Sequence, residues 1–274
     1  MPTDLDGLPA NDTHAPDATP AHPAFDSIPD VIRAFGTSPY APSRPLPPHL
    51  TSPHLTPTNP PSSSPPANDE FVIVLDDPSR ENEGDLIIAA SALTPAKASF
   101  LIRYSSGYLC APLSAARAAA LRLPQMVTDN ADPNRTAYAV SIDAAHASTT
   151  TGISAADRSL TCRLLADPAA TAAHFRRPGH VLPLQARDGG VRERRGHTEA
   201  AVDLCRLARK PPVGVICELV TDGELVAPGT PEMHGGGMMR RDECLAFGKA
   251  WGIRVCTIED LVRYIEENEG CLGG

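Results

Sequence analysis

Residues 80–85 read Arg-Glu-Asn-Glu-Gly-Asp and set carboxylates at every second position, Glu81, Glu83 and Asp85. If the chain beyond the turn at Pro78-Ser79 is extended, alternation sends all three to one face. Like charges crowded on one face repel unless a cation sits among them, and oxygen donors of this kind suit Mg2+ or Mn2+. A solvated acidic turn is the alternative. The apolar runs on either side, VIVL before and LIIAA after, put the charges at the mouth of a core and favour a site.

A second concentration spans 176–199, RRPGHVLPLQARDGGVRERRGHTE, with two histidines, four glycines and arginines at 176, 177, 187, 192, 194 and 195. The guanidinium fork matches phosphate and carboxylate, although a solvated basic loop has the same composition. Position favours the first reading, because Gly196-His197-Thr198 stands where the helical pattern TEAAVDLCRLAR begins. A helix N-terminus offers free N–H groups and positive dipole charge, so an anion fits there beside Arg194 and Thr198. In the same turn, His197 could join the carboxylates as a metal ligand. His180 directly follows Pro178-Gly179, where a tight turn could expose its ring. Glu218 falls in the apolar run VGVICELV. It either ends a strand or is costly to bury, and desolvation there would raise its pKa towards a value useful in proton transfer. Acid–base groups, a metal cluster and a phosphate site together suggest enolisation of a sugar phosphate.

These groups need elements to hold them, and the patterning supplies alternating strands and helices. Strands are expected at 71–77, 85–90, 108–114, 136–143, 180–186, 213–220 and 253–258, and helices at 95–105, 114–123, 154–166, 198–209, 240–252 and 259–269. The run at 213–220 is apolar throughout, so both of its faces should be buried. Ser154 with Asp157 three residues on is a capping-box pattern, and Gly252 ends the penultimate helix. Interleaved strands and helices imply a layered α/β sandwich, with strand order not readable from the sequence.

The first seventy of the 274 residues hold 17 of the 29 prolines and −6 of the formal net charge of −9. Such a segment cannot bury enough apolar surface to offset the entropy of ordering. Residues 1–69 are therefore expected to be a mostly disordered acidic Pro/Ser-rich extension, and 70–268 a single catalytic domain. One exception is 25–35, FDSIPDVIRAF, where Asp26 or Ser27 could cap a short helix with Ile28, Val31, Ile32 and Phe35 on one face. No run of eighteen apolar residues spans a membrane. The acidic N-terminus argues against a secretory or Arg-rich targeting leader. Seven cysteines, odd in number and without a CxxC, read as reduced thiols of a cytoplasmic protein. The mild acidity of residues 71–274 gives no reason to expect nucleic acid.

On these residues the sequence resembles the 3,4-dihydroxy-2-butanone-4-phosphate synthase family of riboflavin biosynthesis. The likeness is carried by DDPSRENEGDLIIAA (76–90), RYSSGYLCAPLS (103–114), TAYAVSIDAAHASTTTGISAADRSLT (136–161), FRRPGHVLPLQARDGGVRERRGHTEAAVDL (175–204), PPVGVICELV (211–220) and MMRRDECLAFGKAWGIRVCTIEDLVRYI (238–265). It implies conversion of D-ribulose 5-phosphate to L-3,4-dihydroxybutan-2-one 4-phosphate and formate. It also implies a three-layer α/β fold of the α+β type with a mixed, twisted sheet, two Mg2+ or Mn2+ ions per site, and a homodimer with active sites near the subunit interface.

Carried over by motif, Glu81 and His197 hold the metal pair. Arg80, Glu81, Asp85 and Glu218 touch the substrate, as does the run Arg194, Arg195, Gly196, His197 and Thr198, with Arg194 and Thr198 on the phosphate. His180 and Glu218 match catalytically essential positions, Asp85 is a further candidate for moving protons, and the Cys110 loop (SSGYLC, 105–110) and Thr149-Thr150-Thr151 should line the pocket.

The chain departs from the family pattern in two places. About thirty Pro/Ser-rich residues separate the helix near 25–35 from the first strand, so that helix is expected to dock loosely or not at all. An insertion near 224–237, VAPGTPEMHGG at its centre, reads as a surface loop. The chain ends soon after the last helix, so the monofunctional form is expected, without the GTP cyclohydrolase II domain of some relatives. Two other readings compete. A non-catalytic binding or regulatory relative, docking through extended segments such as Arg44-Pro45-Leu46-Pro47-Pro48, would be expected to have lost a metal ligand or the acid–base pair. A metal-dependent sugar-phosphate isomerase would share the enolisation and release no formate.

Overall fold

The two apolar runs that flank the acidic turn pair with each other. The structure, a computed structural model, describes residues 24–36 and 71–272. In it β1 (Val72–Leu75) and β2 (Gly84–Ala89) are antiparallel, with Val74 opposite Asp85. Branched aliphatic residues suit the pleat, and alternation sends Val72, Val74, Ile87 and Ala89 to one apolar cluster. Ile73, Leu75, Leu86 and Ile88 enter another on the opposite face. Period two with both faces apolar marks strands sandwiched between helix layers.

The other strands are β3 (Cys110–Leu113), β4 (Ile142–Ala144), β5 (Phe175–Gln185), β6 (Gly214–Glu218), the hairpin β7 (Glu224–Leu225) and β8 (Met233–His234), and β9 (Arg254–Thr257). The main sheet runs β4-β5-β3-β6-β2-β1-β9. β3/β5 and β1/β9 are parallel and the remaining pairs antiparallel, so the sheet is mixed. One face is covered by α1 (Ile28–Gly36), α5 (His197–Leu207) and α7 (Ile258–Glu269), through side chains such as Phe35, Leu204 and Leu261. The other is covered by α2 (Pro95–Arg103), α3 (Ala115–Ala120), α4 (Ala155–Ala166) and α6 (Arg241–Trp251), through Leu101, Ala118, Leu165 and Cys244. This is the three-layer mixed α/β sandwich expected. Thr94, Ser114, Ser154 and Thr257 each cap their helix by accepting a backbone N–H three residues on. Left-handed Gly252 ends α6.

Four expectations change. α1 does not dock loosely. Ser27 caps it, and Asp26 is stitched to β9, its N–H donating to the Val255 carbonyl at 2.8 Å and its carboxylate accepting the Val255 N–H at 2.9 Å. A nine-residue helix is unstable alone; burial of Ile28, Val31 and Phe35 against α5 and α7 is what holds it. The strand expected at 136–143 is mostly irregular, with only β4 and single bridges such as Tyr138↔Leu184. β5 begins at Phe175, five residues before the predicted start. The insertion near 224–237 carries the β7–β8 hairpin, with Leu225, Val226 and Met233 exposed. The predicted disorder of the extension falls outside the described residues, apart from 24–36. Among the described residues no helix is long and apolar enough to cross a membrane.

Candidate active site

Asp76, at the end of β1, organises the acidic turn. Its Oδ2 accepts from Arg80 Nη1 at 2.9 Å and from the Glu81 N–H at 3.0 Å, and its Oδ1 accepts from the Glu83 N–H at 2.8 Å. Asn82 is left-handed, with φ 54°. The three carboxylates therefore do not form one extended row. Glu81 and Glu83 come from a turn and Asp85 from β2, yet all three line one cavity with His197, Thr198 and Glu218. Arg80 joins them, its Nη1 also donating to Glu81 Oε2 at 2.5 Å.

His197 is the first residue of α5, which packs across β1, β2, β3 and β6. Its Nε2 lies 3.1 Å from the Val74 carbonyl oxygen, which can only accept, so Nε2 carries a proton. The other nitrogen, Nδ1, faces Glu81 Oε2 at 3.6 Å and Asp85 Oδ1 at 3.8 Å. Burial alone would lower the His197 pKa, but Asp85, Glu81 and Asp76 outweigh it and raise it to about 9. The contact with His197, reinforced by Arg80, lowers Glu81 to about 2. Burial pushes Asp85 up to about 7, with Glu218, Glu81 and Glu83 adding to it.

The arrangement fits a divalent cation. Asp85 Oδ1 is buried with no hydrogen-bond partner. Ligand atoms on an ion with bonds of about 2.1 Å stand roughly 3–4 Å apart, which is the spacing of His197 Nδ1 from Glu81 and Asp85. A protonated Nε2 bonded to a backbone carbonyl is the outer contact that aims the opposite nitrogen at a metal. Asp76 also places an oxygen within 4.8 Å of ligand atoms on Glu81 and His197. Both of its oxygens already accept from the turn and Arg80, so it acts as a brace.

Gly196, the N-cap of α5, offers no side-chain cap, and Thr198 is buried in the first turn. Arg194 is anchored, donating to Glu199 Oε2 at 2.6 Å, to the Asn134 carbonyl at 3.1 Å and to Thr136 Oγ1 at 3.2 Å. Gly196 is needed for this approach, because a Cβ there would stand 2.3 Å from Arg194 Nη1. Asn134 in turn donates to Glu81 Oε1 at 2.7 Å and ties the cationic side of the cavity to the acidic one. Glu218 closes β6 opposite Asp85, and Ser106 Oγ donates to its Oε2 at 2.9 Å. Cys110 also lines the cavity, its thiol pushed up by burial and in contact with Tyr138.

Three predicted site residues stand elsewhere. Arg195 points outward to Glu259 at 2.5 Å in an exposed ion pair. His180 is not in a turn; it lies in β5, half-exposed, with Nδ1 at 2.8 Å from Asp143 Oδ2. Cys110 is opposite both Leu182 and Ile216, so His180 is about two strand spacings, on the order of 10 Å, from Glu218. Thr150 bonds through Oγ1 to Asp157 Oδ2 at 2.6 Å. Its loop packs on Asp143 at Gly152, where a Cβ would come within 2.0 Å of Asp143 Oδ2. His180 and the 149–152 loop thus form a second cluster around Asp143. Sequence reasoning missed Asp76, Asn134, Thr136, Tyr138 and Asp143, whereas Ser106 belongs to the expected Cys110 loop. Only Asp76, directly before the acidic run, carried a local signal.

A mixed three-layer domain that joins a carboxylate–histidine metal pocket to an uncapped helix N-terminus is built as an enzyme for a phosphorylated substrate. The sequence profile described as 3,4-dihydroxy-2-butanone 4-phosphate synthase matches residues 66–264, and the chain belongs to that family. A relative of that name from Pyricularia oryzae is 55% identical over 248 residues, covering 90% of this chain and 93% of the relative. One from Schizosaccharomyces pombe is 56% identical over 198 residues, covering 72% and 91%. A crystal structure of a 3,4-dihydroxy-2-butanone 4-phosphate synthase in complex with two magnesium ions superposes with a TM-score of 0.78 at 54% identity, covering 90% of this chain and all of that one.

Proposed function

We propose that the chain carries its family's activity, a carbon–carbon lyase reaction turning D-ribulose 5-phosphate into L-3,4-dihydroxybutan-2-one 4-phosphate and formate. The observation that carries this reading is the convergence of Glu81, Asp85, His197, Thr198 and Glu218 on one cavity from three separate segments. The N-terminus of α5 and Thr198 receive the phosphate, with Arg194 fixed beside them. Glu81 and His197 hold the metal, taken as a pair of Mg2+ ions because a relative binds two. Bound there, such ions supply Lewis acidity to the sugar oxygens.

Asp85 and Glu218, adjacent across β2 and β6, are the carboxyl groups placed to move protons. Removal of the C3 proton gives an enediolate and the C1 hydroxyl leaves as water. A carbon shift follows, and attack of water releases C4 as formate. His180, held by Asp143 outside the cavity, fits a homodimer in which it serves the other copy's site. The apolar surface exposed nearby by Ile153 and the buried, unpartnered Thr149 Oγ1 support that arrangement. All seven cysteines are free thiols, in keeping with a reducing cytoplasm.

The test is formate release from ribulose 5-phosphate with Mg2+ and an EDTA control. Metal-dependent formate is expected. Consumption of the sugar without formate would overturn the reading in favour of an isomerase, and no consumption at all would favour a non-catalytic relative.

A further inference from the structure

The geometry points to Arg158 as a positioning residue for Glu218, acting through Gly107 and Ser106. The inference deepens the reading above and rests on the role given there to Glu218. Arg158 lies on α4, in the layer opposite α5, and is only 7% exposed. Its Nη1 donates to the Gly107 carbonyl at 2.8 Å, while its Nε is buried with no partner. A buried guanidinium with an orphaned donor is costly, and an apolar side chain would pack there at less expense. The Gly107 contact is what the charge achieves.

That contact pins the connection between α2 and β3. Gly107 is left-handed, with φ +70°, a conformation open to glycine. Its N–H donates to Ser105 Oγ at 3.3 Å, and Ser105 Oγ donates in turn to the Leu101 carbonyl. Ser106 is thereby held between two fixed residues. Its N–H donates to the Glu218 carbonyl at 2.8 Å, and its Oγ to Glu218 Oε2 at 2.9 Å. The Tyr108 N–H donates to the same Oγ at 3.2 Å and Cys217 Sγ lies 3.4 Å from it; the carboxylate, the stronger acceptor, takes the hydroxyl proton. One oxygen of Glu218, a residue lining the cavity, is thus fixed by Ser106. A glutamate at a strand end would otherwise sample several rotamers.

Ser106→Ala should lower kcat about 10- to 100-fold, part of what a positioned acid–base group contributes, with KM changed less than about twofold. Ser106→Thr, which keeps the hydroxyl, should recover most of the loss. Arg158→Leu should reproduce the kcat defect, and Arg158→Gln, which keeps an N–H for Gly107, should restore part of it. The double variant Ser106→Ala/Arg158→Leu should be no slower than the worse single one, because both act on one contact. If Arg158→Leu does not fold, Arg158→Met, of similar length and without a donor for Gly107, takes its place, and a kcat within about twofold of the parent overturns the inference. Glu218→Gln is the control. If it is inactive while either Ser106→Ala or Arg158→Leu keeps kcat within about twofold, or while their effects add, the positioning inference falls and the role of Glu218 stands. If Glu218→Gln turns over normally, the assignment of Glu218 falls and takes the inference with it.

Discussion

Raising the pH should tighten divalent-metal binding at Glu81 and His197 far more than an ordinary histidine ligand would allow. Although burial alone would release it, Asp85, Glu81 and Asp76 keep a proton on His197 up to about pH 9 in the metal-free protein. A cation bound at Nδ1 must displace that proton. At pH 7 about one His197 in a hundred is then neutral, so apparent affinity lies about 100-fold, or about 2.7 kcal/mol, below its high-pH limit. The dissociation constant should fall about ninefold from pH 7 to 8 and about fivefold from pH 8 to 9. Below pH 7 the slope should steepen towards two protons, because burial also holds a proton on Asp85 up to about 7. A histidine at the usual 6.5 would give only about a 1.3-fold change above pH 7. Mn2+ titrations followed by the resonance of the free ion, at half-unit steps from pH 6 to 9.5, measure the slope. Calorimetry in two buffers of different ionisation enthalpy counts the protons, about one per ion near pH 8. A dissociation constant level from pH 7 to 9 with no proton released would refute the reasoning.

The same proton has the opposite effect on stability without metal. Its folded pKa lies above the unfolded 6.5, so its contribution is complete below 6.5 and lost as pH rises through about 9; the melting temperature in EDTA should fall over that interval. Asn134→Ala removes the 2.7 Å bond that aims Glu81 and should weaken Mn2+ binding about 10-fold or more, read by the same titration. Gly152→Ala forces a Cβ to within 2.0 Å of Asp143 Oδ2 at a φ of +101°. It should displace His180 and lower kcat for formate, whereas Gly229→Ala, with nothing within 4 Å, should leave kcat unchanged. Phe35→Ala, in the fully buried part of α1, should cost about 3–5 kcal/mol by denaturant titration, whereas a loosely docked helix would lose almost nothing.

Much of the fold was legible because its signals are local. Runs such as 72–75 and 214–218 are apolar on both faces, and Thr94, Ser114, Ser154 and Thr257 mark helix starts by their own side-chain bonds. Strand order was not legible, since nothing within β6 says that its neighbours are β2 and β3. The stretch 136–143 misled because, before β4, it bridges to the main sheet only at Tyr138↔Leu184, without a continuous ladder. At the site, the identities of Glu81, Asp85, His197 and Glu218 came from sequence, but their spacing depends on Asp76 and on the carbonyl of Val74. Arg195 resembled its neighbour Arg194 in type alone; only the fold separates a guanidinium fixed by Glu199 from one paired at the surface with Glu259. His180 and Thr150 were grouped with the pocket, but Asp143, 37 residues before His180, holds the imidazole elsewhere, and Asp157 holds Thr150.

The stitching of α1 to β9 makes the first part of this chain a resident ligand of the rest. Residues 24–36 bind a groove between α5, α7 and β9, and the 34 residues from 37 to 70 tether them to it. A covalent connection keeps a segment beside its site at an effective concentration well above that of a free peptide. A single cut between 37 and 70 would turn a folding equilibrium into a dissociation equilibrium. Stability of the nicked protein would then depend on dilution, and helix α1, far from the chemistry in sequence, would become a separable subunit of the enzyme.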